Sequence, residues 1–276
     1  MNLQIFPGAE KIFEADRDLF WRLKPNLEKV EAAEKLPNAE HRFRVSTDGG
    51  ARRVTPEAPA GARSVLFVGD SCTFGIPVDD DQSFPSRVGR LLGVRALNAG
   101  VPGYSAFQGR LVLERFEGRP AAVVITFWVN GRTVWDHLSD AEHQELLAAE
   151  RAGEFSRHRL TRLLRRVAPG GRPRLSEEEF RSELETMIAR SREIGARPLL
   201  VIWPAAEQMS VAEEHPRQAI IRAVGVATGS PAVELASVFR ENGGSRLFVD
   251  SIHATAAGYE VAAAAVAEAL RPLLER

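Results

Sequence analysis

The chain of 276 residues has a single cysteine, Cys72. One thiol excludes an internal disulfide framework and a zinc site built from several cysteines, and it leaves the compartment open. A surplus of charge of one sign is also missing: 36 lysines and arginines face 37 aspartates and glutamates, for a formal net charge of -1. The arginines are interspersed with glutamates, so no global field draws the chain to nucleic acid. Long hydrophobic runs are absent too. The most apolar stretches, near Pro198 to Ala206 and Val261 to Leu270, are too short to span a bilayer, and the first residues lack the basic start and apolar core of a signal peptide. The expectation is a soluble chain, cytoplasmic by default, and exported or membrane-tethered if an upstream segment is missing. There is no internal repeat, no low-complexity tract and no signature of an oligomeric state.

What is present, 44% hydrophobic and 26% charged residues over this length, suits one large α/β domain or two small ones and not a disordered chain. From Ala62 onward, short β-branched runs alternate with longer helical patterns, which predicts a parallel sheet covered on both faces. The expected strands are Ser64 to Val68, Val94 to Asn98, Ala122 to Trp128, Arg197 to Trp203 and Ala232 to Leu235, giving a flavodoxin-like five-stranded sheet. The third and fourth are apolar enough for central positions. Helical patterns cover Phe84 to Leu92, Ala106 to Phe116, Glu142 to Arg151, Ser176 to Ile194, Pro216 to Ala227 and Thr255 to Leu273. Ser176 followed by Glu179 has capping-box spacing, and Thr255 can cap the last helix.

Two stretches fall outside this alternation. Residues 1–60 scatter prolines among charges, with an aromatic cluster at Phe13, Phe20 and Trp21, and read as a leader packing on a main domain of residues 61–276. Residues 136–174 are arginine-rich and broken by Ala168-Pro169-Gly170-Gly171, and read as a helical insertion, either a lid or a solvated excursion.

In a doubly wound sheet the loops leaving the carboxyl ends of the strands gather on one edge. Ser71 follows the first expected strand, Gly100 and Gly103 the second and Asn130 the third, while His253 comes after the fifth. A hydroxyl is a weak nucleophile until a base takes its proton, and His253 is that base by position. Asp250, three residues earlier, can hold the imidazole in the required tautomer. The backbone N–H groups of Ser71 and Gly103 and the Asn130 amide can face a developing oxyanion. Each part has a plainer reading: Asp70 and Ser71 as a helix cap, the glycines as a tight turn, His253 as a surface residue. Their order at successive strand ends favours a site for acyl transfer. Asp140 and His143 repeat the Asp250 to His253 spacing in a polar helical stretch, where they are expected to be an exposed pair without catalytic meaning. Trp128, Trp135 and Trp203 stand near the same edge and can line a substrate pocket or pack on the core. His137 shares both readings. Cys72 reads as a small buried hydrophobe.

Together Gly69-Asp70-Ser71, Asn98 to Gly103, Asn130 and Asp250 to His253 resemble the sequence blocks of the SGNH or GDSL hydrolases, in order, over about residues 62–276. The resemblance implies a three-layer α/β/α sandwich, with Ser71 as nucleophile, His253 as base, Asp250 as its orienter, and Ser71, Gly103 and Asn130 as the oxyanion hole. It implies no metal and no cofactor, and a small-molecule or glycan ester as substrate. The segment Phe20 to Asn26 is similar to extensions that precede the domain in some bacterial members, where a membrane anchor often stands further upstream. One block departs: where the family usually has glycine, any residue, asparagine, aspartate, this chain reads Trp128-Val129-Asn130-Gly131. Three readings follow: an esterase for a carbohydrate acetyl or other short-chain acyl ester, a glycan O-acetyltransferase using the same triad, or a binding module that retains the fold without catalysis.

Overall fold

A computed structural model of the chain describes residues 9–36, 39–132, 138–151, 172–211 and 213–275. The chain begins with a helical turn, α1 (Ala9–Ile12), and two antiparallel hairpins, β1 (Phe13–Asp16) with β2 (Phe20–Leu23), and β3 (Val30–Leu36) with β4 (Ala39–Val45). The Asp16 side chain closes the first hairpin by accepting the N–H groups of Asp18 and Leu19.

Five parallel strands follow: β5 (Ser64–Gly69), β6 (Arg95–Gly100), β7 (Ala122–Thr126), β8 (Arg197–Ile202) and β9 (Ala232–Glu234), in the spatial order β6-β5-β7-β8-β9. This order is that of flavodoxin-like sheets, and helices cover both faces to complete the three-layer α/β/α sandwich expected from the sequence. Three strands are interior, not two: β5 pairs with both β6 and β7 and is buried along nearly its whole length. The third strand stops at Thr126, so Phe127 and Trp128 belong to the loop after it.

The connecting helices are α2 (Ser71–Phe74), α3 (Phe84–Leu92), α4 (Ala106–Glu114), α5 (Asp140–Arg151), α6 (Glu177–Glu193), α7 (Pro216–Thr228), α8 (Leu235–Asn242) and α9 (Ala256–Glu275). Ser176 and Glu179 bond reciprocally at the start of α6, and Thr255 Oγ1 accepts the Gly258 N–H at the start of α9. The expected insertion over residues 136–174 falls mostly outside the described residues.

One hydrophobic core joins the hairpins to the sheet, and Phe13, Phe20, Trp21 and Phe43 are among its buried members. The Trp21 indole N–H donates to the Pro102 carbonyl at 3.1 Å, and the Tyr104 hydroxyl donates to the Trp21 carbonyl at 2.5 Å. The β6 edge is covered by the end of the leader, where the Arg53 N–H donates to Asn98 O and the Thr55 hydroxyl to Ala96 O. Among the described residues no helix is long and apolar enough to cross a membrane.

Candidate active site

The turn from β5 into α2 is made by close approach. A Cβ on Gly69 would lie 1.9 Å from Thr73 Oγ1 and 2.8 Å from Thr126 O, and one on Gly100 would lie 2.3 Å from Phe74 N, so only glycine lets α2 descend onto the ends of β6 and β7. The Asp70 carboxylate caps α2 by accepting the Cys72 N–H at 3.0 Å, which sets Ser71 as the first helical residue at the carboxyl edge of the sheet. Burial pushes the Asp70 carboxyl up to about 6, against the Cys72 bond and the field of His253, which both favour its charge.

The loop before α9 brings the second part. His253 Nε2 lies 2.8 Å from Ser71 Oγ, and His253 Nδ1 lies 2.7 Å from Asp250 Oδ2. The other Asp250 oxygen accepts the N–H groups of Ile252 and His253 at 2.8 and 2.6 Å. Burial pushes this carboxyl up, but the His253 ring and those two amides outweigh it and hold it below the ordinary carboxylate range. The loop is anchored by Trp203, whose indole N–H donates to Ile252 O at 2.9 Å, and by the Ala206 N–H on Ser251 O.

The third part comes from the loops after β6 and β7. Gly103 sits at φ +81°, a left-handed conformation that favours glycine. Neither its N–H nor that of Ser71 has an acceptor among the described residues. Asn130 opens a 3₁₀ turn (Asn130–Arg132), and its side-chain amide donates to Tyr104 O at 3.1 Å with Asp70 Oδ2 at 3.5 Å. The amide therefore links the loop after β7 to both the Gly103 loop and the cap of Ser71.

The remaining sequence candidates divide. Trp128 is buried against His215, ring centroids 5.0 Å apart, beside a cavity of about 350 Å³ that Ala205, Glu207, Gln208 and His215 also line. Trp203 is 1% exposed among Phe84, Phe239 and Tyr259. It has no face to offer a cleft and supports the His253 loop from beneath. Trp135 and His137 lie outside the described residues. Asp140 and His143 are not an exposed pair: they are 1% and 3% exposed, and Asp140 is taken by the guanidinium of Arg174 and the hydroxyl of Ser105. Cys72 is buried, and that burial pushes its thiol well above the ordinary value, away from the thiolate form.

Sequence reasoning missed three residues. Glu34 on β3 lies in the electrostatic field of His253 and Asp250, with its Oε2 buried and without a hydrogen-bond partner among the described residues. Burial pushes its carboxyl up to about 7. Arg174 donates to the Gly103 carbonyl at 2.7 Å. Arg217 donates to the carbonyls on either side of Asn130. The one local signal was Arg217 itself, a cation in the first turn of a helix where the dipole favours acids.

Residues 67–261 match the GDSL-like Lipase/Acylhydrolase family. Among solved structures, the chain is similar to a lipase/acylhydrolase from Enterococcus faecalis (22% identity, 76% of this chain and 96% of that one, TM-score 0.52). It is also similar to the acetyl xylan esterase AlAXEase (17% identity, 75% and 99%, TM-score 0.53). A third is a variant of Axe2, an acetyl-xylooligosaccharide esterase from Geobacillus Stearmophilus (18% identity, 76% and 94%, TM-score 0.51). No curated protein is matched by the sequence.

Proposed function

The chain belongs to the GDSL-like Lipase/Acylhydrolase family, and from that premise we propose that it cleaves an oxygen ester through an acyl intermediate on Ser71. The observation that carries the reading is the unbroken relay from Ser71 Oγ through His253 to Asp250, with contacts of 2.8 and 2.7 Å. Ser71 Oγ attacks the ester carbonyl as His253 Nε2 takes its proton, and the carbonyl oxygen becomes the oxyanion. The N–H groups of Ser71 and Gly103, together with the Asn130 amide, stabilise that charge, each such donor being worth roughly 2.7 to 4 kcal/mol in related chemistry. Collapse expels the alcohol, whose oxygen takes the proton from His253. Water, deprotonated by the same ring, then releases the acid and restores Ser71. Asp250 stays ionised throughout and orients the imidazole.

A short acyl group on a carbohydrate is the substrate class we favour. The cavity beside Trp128 has the volume of a small-ligand pocket. His215 in its wall accepts the Arg217 N–H on Nδ1, and burial lowers its basicity, so the neutral ring carries its proton on Nε2 as a donor for a hydroxyl. The names of two structural neighbours, an acetyl xylan esterase and an acetyl-xylooligosaccharide esterase, point the same way.

The test is acetate release from p-nitrophenyl acetate and from acetylated xylo-oligosaccharides by wild type and Ser71→Ala. The reading expects turnover by wild type on both substrates and a loss of at least about 10³-fold in Ser71→Ala. Equal rates in the two proteins on both substrates would overturn it.

A further inference from the structure

Arg217 stands where the electrostatics of its own helix would not put it. It occupies the first turn of α7, at the positive end of the helix dipole, and is 3% exposed. No carboxylate lies within ion-pair reach of it among the described residues, and its hydrogen bonds go to carbonyls. Nη2 donates to Gly131 O at 3.0 Å and to Leu175 O, and Nη1 approaches Trp128 O at 3.5 Å. Burial lowers its pKa to about 10, with Arg132 adding to the effect, so the side chain remains a cation at neutral pH. The ring of Phe180 lies 5.1 Å from its Cζ.

Trp128 and Gly131 bracket Asn130, so one rigid fork holds the backbone on both sides of the amide. The other lone pair of Gly131 O accepts the Leu175 N–H at 3.0 Å, so the same fork and the same carbonyl tie the loop to the segment that starts α6. A Cβ on Gly131 would come within 2.3 Å of Arg217 Nη1. Gly131 is thus glycine for room, since its φ is not among the positive ones.

We propose that Arg217 is a positioning residue for the reaction: it clamps the Trp128–Gly131 backbone and so fixes the direction of the Asn130 amide. The role rests on the reading of Asn130 as an oxyanion donor. A donor displaced by an ångström keeps substrate binding nearly intact and loses transition-state stabilisation, so the effect falls on kcat and spares KM.

The test is steady-state kinetics on p-nitrophenyl acetate for Arg217→Met, Arg217→Lys, Gly131→Ala, Asn130→Ala and the double variant of Arg217→Met with Asn130→Ala, with folding checked by circular dichroism. Arg217→Met is expected to lower kcat by about 10- to 100-fold with KM within about threefold, and Arg217→Lys to restore part of the loss. Gly131→Ala, which displaces the guanidinium, is expected to lower kcat in the same way and serves if Arg217→Met fails to fold. In the Asn130→Ala background, Arg217→Met is expected to cost no more than about twofold. Losses that multiply in the double variant, or kcat within about twofold of wild type in both Arg217→Met and Gly131→Ala, would overturn the positioning role and leave the oxyanion reading standing. Wild-type turnover in Asn130→Ala would overturn both.

Discussion

Three buried or nearly buried arginines each hold one of the segments that carry the proposed oxyanion donors. Arg53 donates to the carbonyls of Phe74, Gly75, Val78 and Arg44 and pairs with Asp80, fixing the chain that leaves α2. Arg174 holds the Gly103 carbonyl while paired with Asp140, and Arg217 holds the loop around Asn130. A guanidinium has five donors in a fixed plane, so a single side chain can satisfy several loop carbonyls that no strand or helix partner reaches. Glu34 is the opposite case, a carboxyl brought near the Ser71 site with one oxygen left without a partner among the described residues. Its pKa rises from 4.5 to about 7 through burial, with His253 opposing and Asp250 reinforcing the shift. The folded state therefore holds a proton that the unfolded chain loses earlier, and this group's contribution to stability is full below about pH 4.5 and disappears as pH rises through 7. Glu34→Gln removes that dependence. Urea midpoints should show the variant gaining on wild type between pH 4.5 and pH 8, and an unchanged difference at the two pH values would contradict the assignment.

Among the elements, the first hairpin, β1 with β2, is fastened to the loop that presents Gly103. Trp21 bonds both sides of that residue, donating to Pro102 O and accepting from the Tyr104 hydroxyl, and the Gln108 amide donates to Leu19 O at 2.7 Å. Removing a buried aromatic ring of this size typically costs about 3–5 kcal/mol. Trp21→Ala should lower the stability of the whole chain by that order in a single urea transition followed by circular dichroism. A change below about 1 kcal/mol would mean that the first hairpin folds apart from the sheet. The strands of the two N-terminal hairpins were not legible in the sequence. β3 reads Val-Glu-Ala-Ala-Glu-Lys-Leu, a run of strong helix formers, and becomes a strand only because β4 pairs with it along its length. The parallel strands were legible because β7 and β8 are continuous apolar runs bounded by turn residues, a pattern set by burial on both faces.

For the molecule as a whole, the family and the sheet were readable because strand ends carry the blocks: Gly69-Asp70-Ser71 after β5, Asn98 to Gly103 around the end of β6, Asn130 after β7 and Asp250 to His253 ahead of α9. The supports of the site were not readable, since Arg53, Arg174, Arg217 and Glu34 reach it across tens of residues and nothing in their local sequence states the partner. Trp203 shows the same limit: its place at a strand end suggested a cleft wall, and its indole proved to be core that props the His253 loop. In the proposed reaction Ser71 is the nucleophile and His253 its base. The most direct test of these roles is covalent trapping with a fluorophosphonate, followed over time by peptide mass mapping. A single adduct on Ser71 is expected, absent in Ser71→Ala and formed about 100-fold more slowly in His253→Ala. An adduct on another residue, or an undiminished rate in His253→Ala, would contradict them.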